Sequence, residues 1–250
     1  GLALIGGGSE QFAVGGHDAV LVAGSRIAAL DDAELFPGLD LSGVAVNGVL
    51  VPEIARQIED SIAVKQAVLK DHAALAQVEC VALACLDSLR GGGKIVFAGN
   101  GGSFADAQHL SAEFTSRFQF DRAPLASLAL ATNNSALSAI GNDYGFDQVF
   151  ARELEAVAKP GDVYIPITTS GNSPNIVESI RVARRLGLPT FCLTGQSGGQ
   201  ANDLCECIRV PSQVTARIQE CHILLGHILC GLLENMIFKA PGGACLKENA

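Results

Sequence analysis

From residue 52 onward the apolar positions follow two alternating periods. Ile54, Ile58, Ile62, Val64, Val68 and Leu69 recur near helical spacing with Asp and Lys between them, the pattern of an amphipathic helix. A second helix is predicted from about Asp71 to Leu89, stopped by Gly91-Gly92-Gly93. Short apolar runs follow and read as strands: Lys94–Ala98, Leu125–Leu130, Asp162–Ile167, Pro189–Leu193 and Cys207–Val210. Helical periods separate them: one running to about Phe118, one after Asn134, then Asp147–Ala158, Pro174–Leu186 and a long closing helix over Ala216–Phe238. Strands alternating with helices through short loops predict an α/β fold, a parallel sheet covered on both faces. Ligands of such a sheet belong outside the carboxyl ends of its strands. Pro166 conflicts with this pattern, because proline cannot donate to a central ladder; either the third strand ends before it or a bulge sits there.

The first fifty residues differ. Gly6-Gly7-Gly8 and Gly15-Gly16 punctuate short apolar pieces, and Ala19–Val22, Gly24-Ser25 and Ile27–Leu30 read as a small β-hairpin. Residues 35–51 carry Pro and Gly at intervals and read as a linker. The chain therefore divides into an extension over 1–50 with no assignable role, a domain over 51–240, and a tail over 241–250.

Composition narrows the function. The 250 residues are 48% hydrophobic and 17% charged, a globular balance, and with no Trp the core is left to Ala, Val, Leu and Ile. Seventeen Lys and Arg against 26 Asp and Glu give a net charge of −9. That argues against a nucleic-acid groove or an anionic membrane face, both of which want basic clusters; Arg181, Arg184 and Arg185 read as a solvated helix face. An anionic ligand would have to be held by backbone amides and hydroxyls. Eight cysteines stand at 80, 85, 192, 205, 207, 221, 230 and 245. Cys205-X-Cys207 has no partner pair and fits an alternating strand better than a structural zinc site. No secretory signal is visible and no apolar run reaches membrane-spanning length, so a cytoplasmic location with reduced thiols is expected.

Two loops stand at strand carboxyl ends, Gly99-Asn100-Gly101-Gly102-Ser103 and Thr168-Thr169-Ser170-Gly171-Asn172-Ser173. Each lies where a helix begins, and free N–H groups with the helix dipole favour an anion there. Ordinary capping by Ser103 and Ser173 would account for one such loop; two together point to a phosphate. Neither fits the dinucleotide or Walker patterns. His109 and Glu113, four apart, share a helix face and can bind one divalent metal or exchange a proton, or be a plain exposed pair. On the last helix, Glu220 and His227 lie about 20° apart and Gln219 and His227 about 80°, so spacing nominates Glu220. His227 sits in an apolar stretch, where a lone histidine is more often a core or interface residue. These residues suggest a phosphorylated small molecule and acid–base or metal chemistry.

Taken together, Gly99–Ser103, Asp106-Ala-Gln-His109 through Glu113, Ile140-Gly-Asn-Asp143, Thr169–Ser173 and Arg217-Ile-Gln-Glu220 with His227 resemble the phosphoheptose isomerases of the sugar isomerase (SIS) domain superfamily. The resemblance runs from about Pro52 to Phe238. It implies a five-stranded parallel sheet sandwiched by helices, SIS-type and flavodoxin-like, in a homotetramer with sites at subunit interfaces. It implies interconversion of sedoheptulose 7-phosphate and D-glycero-D-manno-heptose 7-phosphate, the first step toward heptose for surface polysaccharide. Carried over by position, His109, Glu113, Gln219 and His227 are the ligands of one zinc per subunit, and Gln219 displaces Glu220, the helix then becoming regular only after it. Substrate contacts fall on Asn100, Gly101, Gly102, Ser103, Asn142, Asp143, Thr168, Thr169, Ser170, Ser173 and Gln219. Glu113 is the expected base and His227 the acid for enediol chemistry; a metal-bound carboxylate is a poorer base, so Glu113 must leave or share the metal or yield to Asp106. The departures are the extension, Thr168 where Ser is common, Pro166, and an apolar rim at Phe104. The rival readings are a non-catalytic regulator that binds a protein partner, whose relatives lack the metal His and Glu, and a sugar-phosphate sensor without turnover.

Overall fold

The computed structural model describes residues 50–239; the expected hairpin, linker and tail lie outside them. The described residues divide into two units between Asp60 and Ser61. The described part of the first is the opening of helix α1 (Leu50–Lys70), where Arg56 bridges Glu53 and Asp60 and Ile54 and Ile58 are exposed.

The second unit continues with α2 (His72–Arg90), capped by the Asp71 carboxylate, which accepts from the Ala73 and Ala74 amides. Then follow β1 (Ile95–Gly99), α3 (Gly102–Thr115), β2 (Ser127–Ala129), α4 (Asn134–Tyr144), α5 (Val149–Val157), β3 (Val163–Ile167), α6 (Pro174–Arg185), β4 (Phe191–Thr194), β5 (Glu206–Arg209) and α7 (Thr215–Phe238). The five strands pair in parallel, in the order β2-β1-β3-β4-β5. Side-chain alternation along each strand divides the core in two. Ile95 and Phe97 pack with α2, α3 and α7, while Val96 and Ala98 pack with α5 and α6 on the opposite face. The expected layered α/β architecture is the one observed.

Pro166 needs neither a strand end nor a bulge. It lies inside β3, in register with Ala98 of β1. Tyr164 and Thr168 donate their amides to the Pro189 and Leu193 carbonyls, so position 166, between them, faces β4. Proline therefore removes one bond from the β3–β4 ladder only. Pairing there is registered at Tyr164 with Thr190 and at Ile167 with Leu193, and is interrupted between.

The expectation about apolar runs also needs correcting. Helices α2 and α7 are long and apolar enough to cross a membrane by composition. Both are instead core helices: Val81, Ala82 and Cys85 of α2 and Leu225, Leu229 and Leu233 of α7 are buried in the cluster beneath the sheet. Of the Cys-X-Cys pair, Cys207 stands in β5 opposite Cys192 of β4, and Cys205 lies just before the strand. Hydrogen bonds from the Cys192 and Cys205 thiols beside it, with a smaller contribution from the Arg209 charge, push the Cys207 thiol down.

Candidate active site

The first glycine loop turns from β1 into α3. Gly102 is close-packed: a Cβ there would lie 2.6 Å from Gln219 Nε2, so the α7 side chain rests directly on the loop backbone. No side chain caps α3, and Ser103 is buried within its first turn. The second loop turns from β3 into α6, and Ser173 at the cap position makes no capping bond either. It pairs with the Thr168 hydroxyl at 3.1 Å. Ordinary capping is thereby removed as the account of both serines, and the start of α3 keeps free amides that favour an anion; α6 opens on Pro174, which has no N–H, and its Ile176 amide is taken up by Asn175 Oδ1. Gly171 adopts φ +68°, and a Cβ there would fall 1.9 Å from the Gly198 carbonyl oxygen; only glycine fits this turn.

The two loops are tied together by a pair of amides. Asn100 Nδ2 donates to Asn175 Oδ1 at 2.8 Å and Asn175 Nδ2 donates back to Asn100 Oδ1 at 2.9 Å. Asn175 Oδ1 also accepts the Ile176 amide. The Asn100 side chain, expected to touch substrate, is thus engaged as a brace. Beside the second loop lies a cavity of about 550 Å³ lined by Thr169, Ser170, Asn172, Gln196, Ser197, Gln213, Thr215 and Ile218. Its size suits a small phosphorylated molecule, and its hydroxyls and amides supply donors without a cation.

Two turns along α3 from the first loop, His109 Nε2 lies 3.0 Å from Glu113 Oε1 and 3.4 Å from His227 Nε2 of α7. Donor atoms of these three residues all fall within 4.8 Å of one another. Nitrogen and oxygen donors at this separation suit a divalent metal ion. His227 is therefore no core histidine. Its ring stacks on Phe118, with centroids 5.4 Å apart and planes at 23°. Asp106, half-buried on α3, has its carboxyl pushed up by burial, and the His109 and His227 charges oppose that rise.

Glu220, the choice from spacing, is engaged elsewhere. Its carboxylate meets Arg217 at 2.6 Å, accepts the Ser61 hydroxyl at 2.6 Å and lies 3.5 Å from Lys65. The helix is regular from Thr215 onward, so Gln219 takes its place on a formed helix rather than ahead of one. Asn142 and Asp143 are not gathered with these residues: Asn142 Nδ2 donates to Asp143 Oδ1 on the exposed end of α4. The sequence reading missed Phe118 and Asn175. Both lie beside predicted residues, but ring stacking and amide pairing have no sequence period.

Comparison with known proteins gives the family. A SIS domain is recognised over residues 58–195. The chain is 50% identical over 187 residues to a phosphoheptose isomerase of Aneurinibacillus thermoaerophilus, covering 74% of this chain and 94% of that one. It is 48% identical over 187 residues to phosphoheptose isomerase 2 of Campylobacter jejuni, covering 74% and 92%. Among solved structures, a phosphoheptose isomerase from Neisseria gonorrhoeae superposes with a TM-score of 0.69 at 41% identity, over 74% of this chain and 99% of that one. On this fold, these paired loops and this identity, the chain belongs to the phosphoheptose isomerase family of SIS-domain proteins.

Proposed function

We propose that the chain interconverts sedoheptulose 7-phosphate and D-glycero-D-manno-heptose 7-phosphate, an aldose–ketose isomerisation at the start of heptose synthesis for surface polysaccharide. The observation that carries this reading is the juxtaposition along one helix. The uncapped phosphate-type loop opens α3, and His109 and Glu113 follow seven and eleven residues later, facing His227. At 1.5 Å per residue, Gly102 and His109 stand about 10 Å apart along the helix axis. An open-chain sugar phosphate spans that interval with its phosphate at the loops and its carbonyl end at the histidines.

Isomerisation moves a proton between neighbouring carbons through an enediol. Glu113 takes the proton from one carbon and returns it to the other, and His227, held against Phe118, exchanges a proton with the carbonyl oxygen. Thr168, Thr169, Ser170, Ser173 and the amides of Gly101, Gly102 and Ser103 hold the phosphate. His109, Glu113, Gln219 and His227 would hold the zinc, one per subunit, which supplies polarisation of the sugar oxygens. A second assignment of the base has its own support: the half-buried Asp106, whose carboxyl is already pushed up by burial, can carry the proton while Glu113 stays on the metal. Glu113→Gln with near-normal turnover and full metal content would transfer the role to Asp106.

A homotetramer with sites between subunits accords with the exposed apolar face of α7, where Leu224, Ile228 and Leu232 recur every four residues. In such an assembly Asn142 and Asp143, exposed in one chain, can meet substrate bound by another. A cytoplasmic location accords with free thiols at Cys85, Cys192 and Cys230.

The decisive experiment incubates the protein with sedoheptulose 7-phosphate in deuterated water and follows proton NMR, with and without chelator. The expected result is the aldose carrying deuterium at C2, with activity lost to the chelator and restored by zinc. Binding of the phosphosugar without turnover in the zinc-replete protein would favour a sensor or a partner-binding regulator instead.

A further inference from the structure

The metal-ligand group is built from two helices, and a buried ion pair beneath it joins them. Glu234 lies seven residues after His227 on α7, so two helical turns bring it back to the same face. Its side chain is 0% exposed and that of its partner Arg122 is 2% exposed. Glu234 Oε1 accepts from Arg122 Nε at 2.9 Å and from the Phe118 amide at 3.0 Å, and Oε2 accepts from the Gln119 amide at 2.8 Å. The Arg122 guanidinium in turn donates to carbonyls at the end of α3 and to that of its own neighbour Ala123. Nη2 reaches Glu113 at 2.7 Å, and Nη1 reaches Phe114 at 2.7 Å, Ser116 at 3.0 Å and Ala123 at 3.1 Å.

The connectivity has a direction. One carboxylate on α7 fixes the amides of Phe118 and Gln119. One guanidinium fixes the carbonyl of Glu113 itself, satisfying the open end of α3. Phe118, held at its backbone, then lays its ring on His227. Gly231 leaves the room for this, since a Cβ there would lie 3.0 Å from Gln119 Nε2 and 3.5 Å from Phe118 Cε1. A buried charged pair gains little stability over an apolar replacement, whereas groups one contact removed from metal ligands control how the ligands are aimed.

We infer that Arg122, Glu234 and Phe118 are positioning residues for the metal site: the ion pair sets the placement of Glu113 against His227, and the Phe118 ring fixes the plane of the His227 imidazole. The inference rests on the reading of His109, Glu113 and His227 as metal ligands.

The test is metal binding by the intact chain, read by competition with a chromophoric chelator for Zn²⁺ and by the visible spectrum of the Co²⁺ form. Phe118→Leu keeps both backbone bonds to Glu234 and removes only the ring. It is expected to weaken Zn²⁺ binding about tenfold and to alter the Co²⁺ bands while the melting temperature stays near that of the parent. Phe118→Tyr, which keeps the stack, is expected to restore both. Glu234→Gln is expected to weaken binding in the same direction, with lower stability as well. Phe118→Leu with unchanged affinity and spectrum, in a parent that binds metal, overturns the positioning role and leaves the proposed function standing. A parent that binds neither Zn²⁺ nor Co²⁺ overturns both the positioning role and the metal assignment.

Discussion

Asn175 is where the proposed phosphate site is most open to a single substitution. Its amide is 2% exposed and makes three hydrogen bonds, two with Asn100 across the loops and one from the Ile176 amide. Asn175→Ala deletes all three. Each neutral bond contributes about 1 kcal/mol net, and a buried amide left without an acceptor costs about 1–3 kcal/mol. Asn100 is half-buried, so water can take up part of its loss; the Ile176 amide is buried and keeps its full penalty. The sum is about 3 kcal/mol, which for a domain of this length lowers the melting temperature by about 6–12 °C. The functional effect is expected in KM for the sugar phosphate, because the brace aligns the two loops and touches no reacting atom. Asn175→Asp separates geometry from charge. It keeps the oxygen that serves Ile176 and Asn100, loses one donor, and sets a negative charge between two anion loops. Its KM is expected to rise further than that of the alanine variant, and most at low ionic strength, where charges are least screened. Calorimetry with steady-state kinetics checks both variants. An alanine variant that melts and binds like the parent would refute the bracing argument.

Two further predictions concern the same end of the sheet. His222 is fully buried, its Nε2–H donating to the Thr194 carbonyl at 3.1 Å, and burial pushes its imidazole down to about 4. Between pH 6.5 and 4 the unfolded chain binds a proton that the folded chain refuses. This contribution to stability is therefore complete above pH 6.5 and is lost as pH falls toward 4, by up to about 3 kcal/mol; denaturant midpoints across that range should fall, and His222→Gln should flatten the slope. Gly171→Ala forces φ +68° on a residue with a Cβ and drives that Cβ into the Gly198 carbonyl. At least about 2 kcal/mol of stability should be lost, with a higher KM, and a variant melting like the parent would show that the turn can relax.

The legible parts of the fold were those with a period. Strand and helix alternation placed β1, β3 and α6 within a residue or two, and the start near Asp71 and the glycine stop bounded α2 correctly. The loops were legible because glycine and hydroxyl residues cluster there. What stayed hidden depends on three-dimensional competition for partners. Glu220 has the better angular match to His227, yet Ser61, Lys65 and Arg217 occupy its carboxylate. Asn100 looks like a substrate ligand until Asn175, 75 residues away, claims its amide. The Arg122–Glu234 pair spans 112 positions and leaves no local signature. Pro166 was legible as a conflict, but its resolution required knowing which neighbour its nitrogen faces.

That missing bond at Pro166 makes the border between β3 and β4 a seam in the sheet. On one side lie β2, β1 and β3, with both loops and the Asn100–Asn175 brace at their carboxyl ends; on the other lie β4 and β5, leading into α7. Across the seam the strands pair at Tyr164 with Thr190 and at Ile167 with Leu193, and the Ile167 and Leu193 side chains share one core cluster. Gln219, packed on the first loop, and His227, beside His109, both reach across from the far side of this seam, so the candidate metal group draws its residues from both sides of the weakest backbone pairing at the centre of the sheet.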